Sequence, residues 1–525
     1  MCRPEGTIDS ASCLSQPYRE PMSVVRSVVT SACWALVGSG AALAYPTIDP
    51  WRVMPPDAPP VQLAGDGGQA VPICQGGEPA QPLTLHQAVE FSVCHNPQAR
   101  QAWATALSQA AQYGQSWAGF LPSVNISLSK SRDRITSHQQ AATAGQPPLR
   151  NDTDVRAYGR NVTLSYVLLD FGTRAANVMQ AHHLLSAALA SHDATLQAVF
   201  SNAAQTYYEA LAARAAMDAT REAEAAAKES FQAAQAREAA GSGYRAEVLQ
   251  ARSLQAQAVA ARIKADGAHR QALGGLANIM GLDARTPLVL DPQAAQDVQP
   301  GSPDPGLDTE RFLGDLDRLM DQALREHPTV RAAEAQLAAA GARLDSVTAE
   351  GQPSVSLSVG RYINGRPNTP LSPSRSVETL TAVTLSVPLF EGFSRNYKIR
   401  EAMAQVDARR ADVASARSQA SLDVWRNYQA LQSETASLAA SLDVLSSGQE
   451  AYDVAQARYR SGDSHIVEVL DAQKDLANAR QERIRALAAW RTARLRLLAS
   501  LGRVGFWALD TPSADTPTPS STTQP

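Results

Sequence analysis

The chain has 525 residues, 44% of them hydrophobic and 19% charged, and a formal net charge of −4. This composition excludes a disordered chain and leaves room for more than one domain. Its mild acidity excludes the strongly basic domain or stripe that marks a nucleic-acid surface, so no nucleic-acid partner is expected.

The first predicted element is a secretory signal. From Met22 the text reads MSVVRSVVTSACWALVGSGAALAY, with Arg26 as the positive start, Ser27 to Leu36 as the apolar run and Ala42-Leu43-Ala44 as the cleavage site. Residues 1–21 are polar and break that pattern, which points to Met22 as the start of translation and makes 1–44 an extension plus signal. A short buried apolar helix is the plainer reading of the same run. Cys33 is a poor lipoprotein acceptor, because Thr30-Ser31-Ala32 lacks the apolar residue expected three before the cysteine. Of five cysteines, cleavage leaves Cys74 and Cys94. In an oxidising compartment these either pair, pinning the 45–82 segment to the first helix, or stay as buried thiols. Past the signal no apolar run approaches the ~18–20 residues of a membrane helix, so any membrane crossing falls to β-strands.

An internal repeat organises most of the remaining chain, with copies at 83–285 and 313–503. Pro97 and Pro122 match Pro328 and Pro353 at an offset of 231 (328 − 97), while Val162 to Arg174 match Val383 to Arg395 at 221 (383 − 162). The difference of ten falls in SRDRITSHQQAATAGQPPLRNDTD (131–154), polar text expected to form an exposed loop. Each copy opens with a helix, predicted at Leu85 to Phe120 and Leu316 to Glu350. Two strands of membrane-spanning length come next, in the second copy SVSLSVGRY from Ser354 and LTAVTLSVPLF from Leu380.

Then come 69 residues, Gly172 to Ala240, without proline or internal glycine, and 68, Ser394 to Ser461, broken only by Gly448. Either would extend roughly 100 Å as a helix, more than an ordinary globular domain uses. In the second, Val424, Tyr428, Leu431, Thr435, Leu438, Leu442 and Leu445 alternate spacings of four and three, a coiled-coil seam. Gly241-Ser242-Gly243 and Ser461-Gly462-Asp463 stop these helices and turn them into return helices, Ala246 to Met280 and Ile466 to Leu501. Residues 286–312 read as a Pro- and Gly-rich linker and 504–525 as a disordered tail. Four strands cannot close a barrel, and lipid does not tolerate an open sheet edge, so several chains are expected to share one.

The strand-to-helix texts LLDFG (Leu168 to Gly172) and PLFEGF (Pro388 to Phe393), and above all YRSGDSHIVEVLDAQ (Tyr459 to Gln473), resemble the TolC family of outer-membrane channel-tunnels over residues 83–503. The resemblance implies an α+β membrane protein and a homotrimer: a twelve-stranded barrel in the cell outer membrane, surrounded by lipid and continuing into an α-helical tunnel across the periplasm. It implies docking, through a periplasmic adaptor, onto an inner-membrane ABC transporter or proton-driven pump. By match, Glu468 and Asp471 would ring the tunnel entrance, where three copies of each would attract cations; the same positions also fit a solvated helix face. Tyr459 and Glu247 match positions that brace the closed entrance. Ser464 and Leu487 stand where some members place basic partners, and Tyr459 equally continues the seam through Leu445 and Tyr452. Phe120, Phe171, Phe390 and Phe393 on the periplasmic side, with Tyr158 and Tyr362 toward the outside, fit aromatic belts, or else scattered core aromatics.

An enzyme is not expected. His182 and His183 are neighbours on a helix rather than an i, i+4 pair, and no phosphate loop, cysteine–histidine cluster or nucleophile elbow is present, so neither cofactor nor metal is predicted. A soluble coiled-coil scaffold or adaptor would share the heptads but would not need paired strands in each copy. The LDAQ hairpin and the plain signal look more like the type I secretion branch than like lipid-anchored efflux members.

Overall fold

The computed structural model of the chain describes residues 49–54, 81–139, 149–292, 316–365 and 375–502. The predicted signal, Cys74, most of the linker and the tail lie outside the described residues. The elements run α1 (Leu85–His95), α2 (Pro97–Trp117), β1 (Ser123–Gln139), β2 (Leu149–Leu169), α3 (Thr173–Ala239) and α4 (Arg245–Ile279). They continue with α5 (Leu316–Glu326), α6 (Pro328–Ala349), β3 (Ser354–Gly365), β4 (Arg375–Ser386), α7 (Ser394–Ser461) and α8 (Ile466–Ser500). Two of them, α3 with 67 residues and α7 with 68, are the proline-free stretches read as single helices.

The helix expected from Leu85 to Phe120 is two helices. Asn96 is extended, its side chain accepts from the Gln98 N–H at 2.8 Å, and Pro97 follows at the first helical position, where a missing N–H costs nothing. The helix expected from Leu316 breaks the same way at His327, whose Nδ1 accepts from the Thr329 N–H at 3.3 Å before Pro328.

The strands form one antiparallel sheet in the order β1-β2-β3-β4. β4 ends at Ser386, short of the predicted Phe390, because Pro388 has no N–H for a ladder. The stretch 131–154, expected as a loop, is mostly ladder: β1 and β2 stay paired out to Gln139↔Leu149, whereas β2 and β3 part at Tyr158↔Gly365. Arg132 and Asp154 form a cross-strand ion pair on this extension, which is how charged text continues a ladder.

Residues directly opposite in a ladder share a face. By register one face carries Val124, Ile126 and Leu128 of β1, Val162 and Leu164 of β2, Val355, Leu357 and Val359 of β3, and Val377, Val383 and Leu385 of β4. The other carries Ser123, Asn125, Ser127 and Ser129, then Asn161, Thr163 and Ser165, Ser354, Ser356 and Ser358, and Thr384 and Ser386. Leu128 is 75% exposed and Val383 66%, so in the single chain the apolar face is bare on the two edge strands and half-buried on much of the inner ones. A contiguous exposed apolar face of this kind marks a contact surface for protein or membrane. Among the described residues no helix is long and apolar enough to cross a membrane.

The largest core joins the helices of both halves: Leu83, Tyr207, Leu211, Leu276 and Met280 pack with Val424, Leu431, Leu438, Leu487, Trp490 and Leu497. Burying one such leucine stabilises by roughly 2 kcal/mol. Much of the remaining buried surface of α3 is alanine (Ala203, Ala204, Ala210, Ala227, Ala234), which lets neighbouring helices approach closely. The predicted seam holds at Val424, Leu431 and Leu438 and then departs from the expected spacing. Leu442 is 42% exposed and Ser441 is buried in its place. The cause is Arg483 of α8, itself buried, which donates from Nη1 to the Leu438 carbonyl at 2.8 Å and needs a small neighbour there.

Candidate functional site: the helical hairpin tips

Both long helices end in a glycine turn. Gly241 and Gly462 have φ of 72° and 87°, left-handed values that any residue with a Cβ resists. The Ser242 N–H then reaches the Arg237 carbonyl at 3.0 Å, and the Asp463 N–H reaches that of Arg458 at 2.9 Å, closing helix ends of the Schellman type. At Gly243 the requirement is space, since a Cβ would lie 3.0 Å from the Glu238 backbone nitrogen. The two tips pack against each other over a small core of Ala234, Val248, Ala251, Ile466 and Leu470, with Phe231, Leu254 and Tyr459 at its margin.

Above this core the charged groups sort into pairs that the spacing of the sequence did not disclose. The Arg237 guanidinium lies 4.4 Å from the centre of the Tyr459 ring, linking α3 to α7. Glu247 faces the His465 ring at 3.8 Å across the two hairpins. Its carboxylate also accepts, at 3.5 Å, from the Tyr244 N–H at the start of α4. Glu247 therefore caps a helix as well as facing the other tip. Glu468, its counterpart in the second half, meets Arg458 of its own hairpin at 2.7 Å. Asp471 is exposed and makes no ion pair among the described residues. The predicted acidic pair is thus unequal: Glu468 is countered by an adjacent cation and Asp471 is not.

Tyr459 stands at the margin of the tip core with its hydroxyl buried beside Arg237, and the Ser464 hydroxyl is buried without a hydrogen-bond partner among the described residues. Leu487, matched to a basic position of the family, belongs to the main core at 1% exposure and plays no part at the tips. A signal for the missed residues existed in the basic last turn of α7, Arg458 and Arg460, beside the acidic first turn of α8. Arg237 and His465 required knowledge of how the two hairpins align. Farther along α7, burial pushes the Tyr452 phenol above its ordinary range, with Glu229 acting in the same sense.

The strand ends hold the predicted aromatics. Phe171, Phe390 and Phe393 are exposed, and Phe390 and Phe393 meet edge to face at 5.4 Å. Phe171 and Phe393 have positive φ of 50° and 64° where strand turns into helix, a backbone cost of order 1–3 kcal/mol each. Phe120 is not bare: it packs on Trp117 and lies under Arg174, whose guanidinium is 4.9 Å from its ring. Arg174 also binds Asp170 at 2.9 Å and the Val167 carbonyl at 2.8 Å, fastening β2, the turn at Ala118–Phe120 and α3 together. Burial opposes ionisation of Asp170, yet the hydrogen bonds from Arg174 hold its carboxyl below the ordinary range. Tyr158 lies on the apolar face, over Gly365. Tyr362 lies on the polar face, over Gly360, so it does not share a belt on one face with Tyr158: its register is odd relative to Gly365 and alternation puts it on the opposite face of the sheet. Cys94 of α1 is disulfide-bonded.

A profile of the outer membrane efflux protein family matches residues 90–282 and 319–503. Protein CyaE of Bordetella pertussis is 33% identical over 428 residues, covering 82% of this chain and 86% of that protein. The probable efflux pump outer membrane protein TtgC of Pseudomonas putida is 24% identical over 448 residues, covering 82% and 85%. Among solved structures, the outer membrane protein VceC of Vibrio cholerae matches with a TM-score of 0.64 at 19% identity, over 80% of this chain and 96% of that one. CusC, a transmembrane channel, matches with a TM-score of 0.65 at 20% identity, over 85% and 97%. At these identities the structures establish a shared fold.

Proposed function

The chain belongs to the outer membrane efflux protein family, and we propose that it is the outer-membrane exit duct of a tripartite export system that passes a secreted protein out of the cell. The observation that carries this reading is the sheet. It is apolar on one face and serine- and threonine-lined on the other, and β1 and β4 are unpaired edges at either side. Unpaired backbone groups in lipid cost several kcal/mol each, so the edges need partners. Three chains would supply twelve strands and close the wall, apolar outward and polar inward, with the helices continuing as a periplasmic tunnel. The two family matches support a tandem repeat. The tips, exposed and charged, would meet a periplasmic adaptor and an inner-membrane ABC transporter or proton-driven pump. In this arrangement three Asp471 carboxylates surround the entrance, Glu468 contributes less, and Arg237–Tyr459 with Glu247–His465 hold the tips closed. Cys74 is the proposed partner of Cys94.

Protein cargo is favoured over small molecules by the hairpin text. The proteins named as efflux pump components match at 24%, below the 33% of Protein CyaE, whose name carries no efflux role. Deleting the gene and comparing culture supernatants tests this. Loss of one or two large secreted proteins is expected; an unchanged supernatant with raised sensitivity to toxic small molecules would assign the duct to an efflux pump instead.

A further inference from the structure

The sheet also sorts its charges by face. On the polar face of the described strands the charged residues are Asp133 and Glu378, both acidic. Where all four strands are paired, the apolar face carries Lys130, Arg160, Arg361 and Arg375, all exposed and without an ion pair among the described residues. They stand toward the end of the sheet away from the helices, since α3, α6 and α7 join it near Leu169, Ser354 and Ser386.

Register makes these cations neighbours. Lys130, Tyr158, Gly365 and Arg375 form one row across all four strands; Arg160 is in the next row with Leu128 and Ile363, and Arg361 in the one after, beside Ile126 and Val162. Lys130, Arg160 and Arg361 are therefore successive diagonal neighbours on three strands, roughly 7–8 Å apart. Like charges that close repel. An arginine among lipid-facing valines and isoleucines is costly as well, unless an anion meets it. The Tyr158 ring lies over Gly365 in the outermost of these rows, giving an apolar shelf at the level of the cations.

We propose that this patch binds the phosphate groups of an outer-leaflet phosphoglycolipid of the lipid A class. The valine and leucine rows below would take its acyl chains, and Lys130, Arg160 and Arg361 its phosphates. The inference rests on the sheet being membrane wall, as proposed above. Its distinctive content is a preference for a glycolipid with two phosphates over a single-phosphate phospholipid, because three adjacent cations match two adjacent anions.

The full-length protein, extracted from outer membranes in mild detergent, would be titrated with diphosphorylated lipid A, monophosphorylated lipid A and phosphatidylglycerol, with bound lipid read by native mass spectrometry. At about fivefold per cation near a membrane surface, K130Q/R160Q/R361Q is expected to weaken diphosphoryl lipid A binding on the order of 100-fold. D133N/E378Q, on the other face, should leave it unchanged. If the triple variant does not reach the outer membrane, Arg160→Gln alone carries the test with a fivefold loss. Equal lipid A affinity of wild type and variants, or phosphatidylglycerol binding as tightly as lipid A, would overturn the proposal. Absence of the wild-type protein from the outer-membrane fraction would instead overturn the membrane-wall reading on which it rests.

Discussion

Substituting Arg237→Ala together with Glu247→Gln removes the two charged contacts between the hairpins nearest their glycine turns while leaving the apolar core and the Ser230–Gln473 hydrogen bond in place. The guanidinium is 4.4 Å from the Tyr459 ring centre at a partly exposed site, worth about 0.5–1 kcal/mol. The Glu247–His465 approach of 3.8 Å involves a ring that is 83% exposed and is an ion pair only when that ring is protonated, so it adds at most about 0.2–0.5 kcal/mol after screening. Each chain thus loses about 1 kcal/mol of closure, and in the proposed trimer three chains opening together lose about 3 kcal/mol, on the order of 150-fold in the closed-to-open ratio. Single-channel recording of the purified protein in planar bilayers measures this as a rise in open time at unchanged fully open conductance. Tyr459→Phe serves as the control, because it keeps the ring under Arg237 and deletes only the hydroxyl, so it should open far less than the double variant. A double variant with the closed lifetime of the wild type would refute the idea that these contacts hold the entrance.

At the tip core, Ile466→Ala empties a site 1% exposed and should cost roughly 2–4 kcal/mol, seen as a lower unfolding midpoint in denaturant. Asp471→Asn is predicted to abolish block of the channel by multivalent cations, and Glu468→Gln to weaken it little, because Arg458 already neutralises Glu468 at 2.7 Å. Block that survives Asp471→Asn in bilayer recordings would contradict the entrance assignment. Burial lowers the pKa of His327 against the opposing pull of Asp423, so the folded state favours the neutral imidazole that accepts from Thr329. Its contribution is complete above the ordinary histidine value near ~6.5 and is lost as pH falls through the lower folded value. His327→Asn, which copies Asn96, should flatten the fall in melting temperature between pH 7 and 5. Arg174→Ala should cost about 2–3 kcal/mol by leaving Asp170 half-buried and without its partner, with a smaller loss on Arg174→Lys.

The long helices were legible because nothing in 69 and 68 residues could break them except Gly448, and one glycine inside a packed helix is tolerated. Their turns were legible because Gly241 and Gly462 are the residues that a left-handed helix end requires. The breaks at Asn96 and His327 were written in the text too: a capping side chain followed by proline is a helix start, and reading Pro97 and Pro328 as interior residues missed it. Other features depended on contacts distant in sequence. Leu442 leaves the seam because Arg483, on another helix, claims the space beside Ser441. The ladder from Ser131 to Gln139 looks like loop because its text is charged, and only the pairing with Leu149 to Ala157 explains it. Distance from the strand end puts Tyr362 at the level of a belt, whereas alternation decides its face.

Native mass spectrometry of the protein extracted from outer membranes, with and without heating in detergent, bears most directly on the closed shared wall. Three copies of the chain that separate only on heating are predicted. A monomer, or an assembly of any other number, would contradict it, because only three sheets of four strands complete the proposed twelve-stranded barrel.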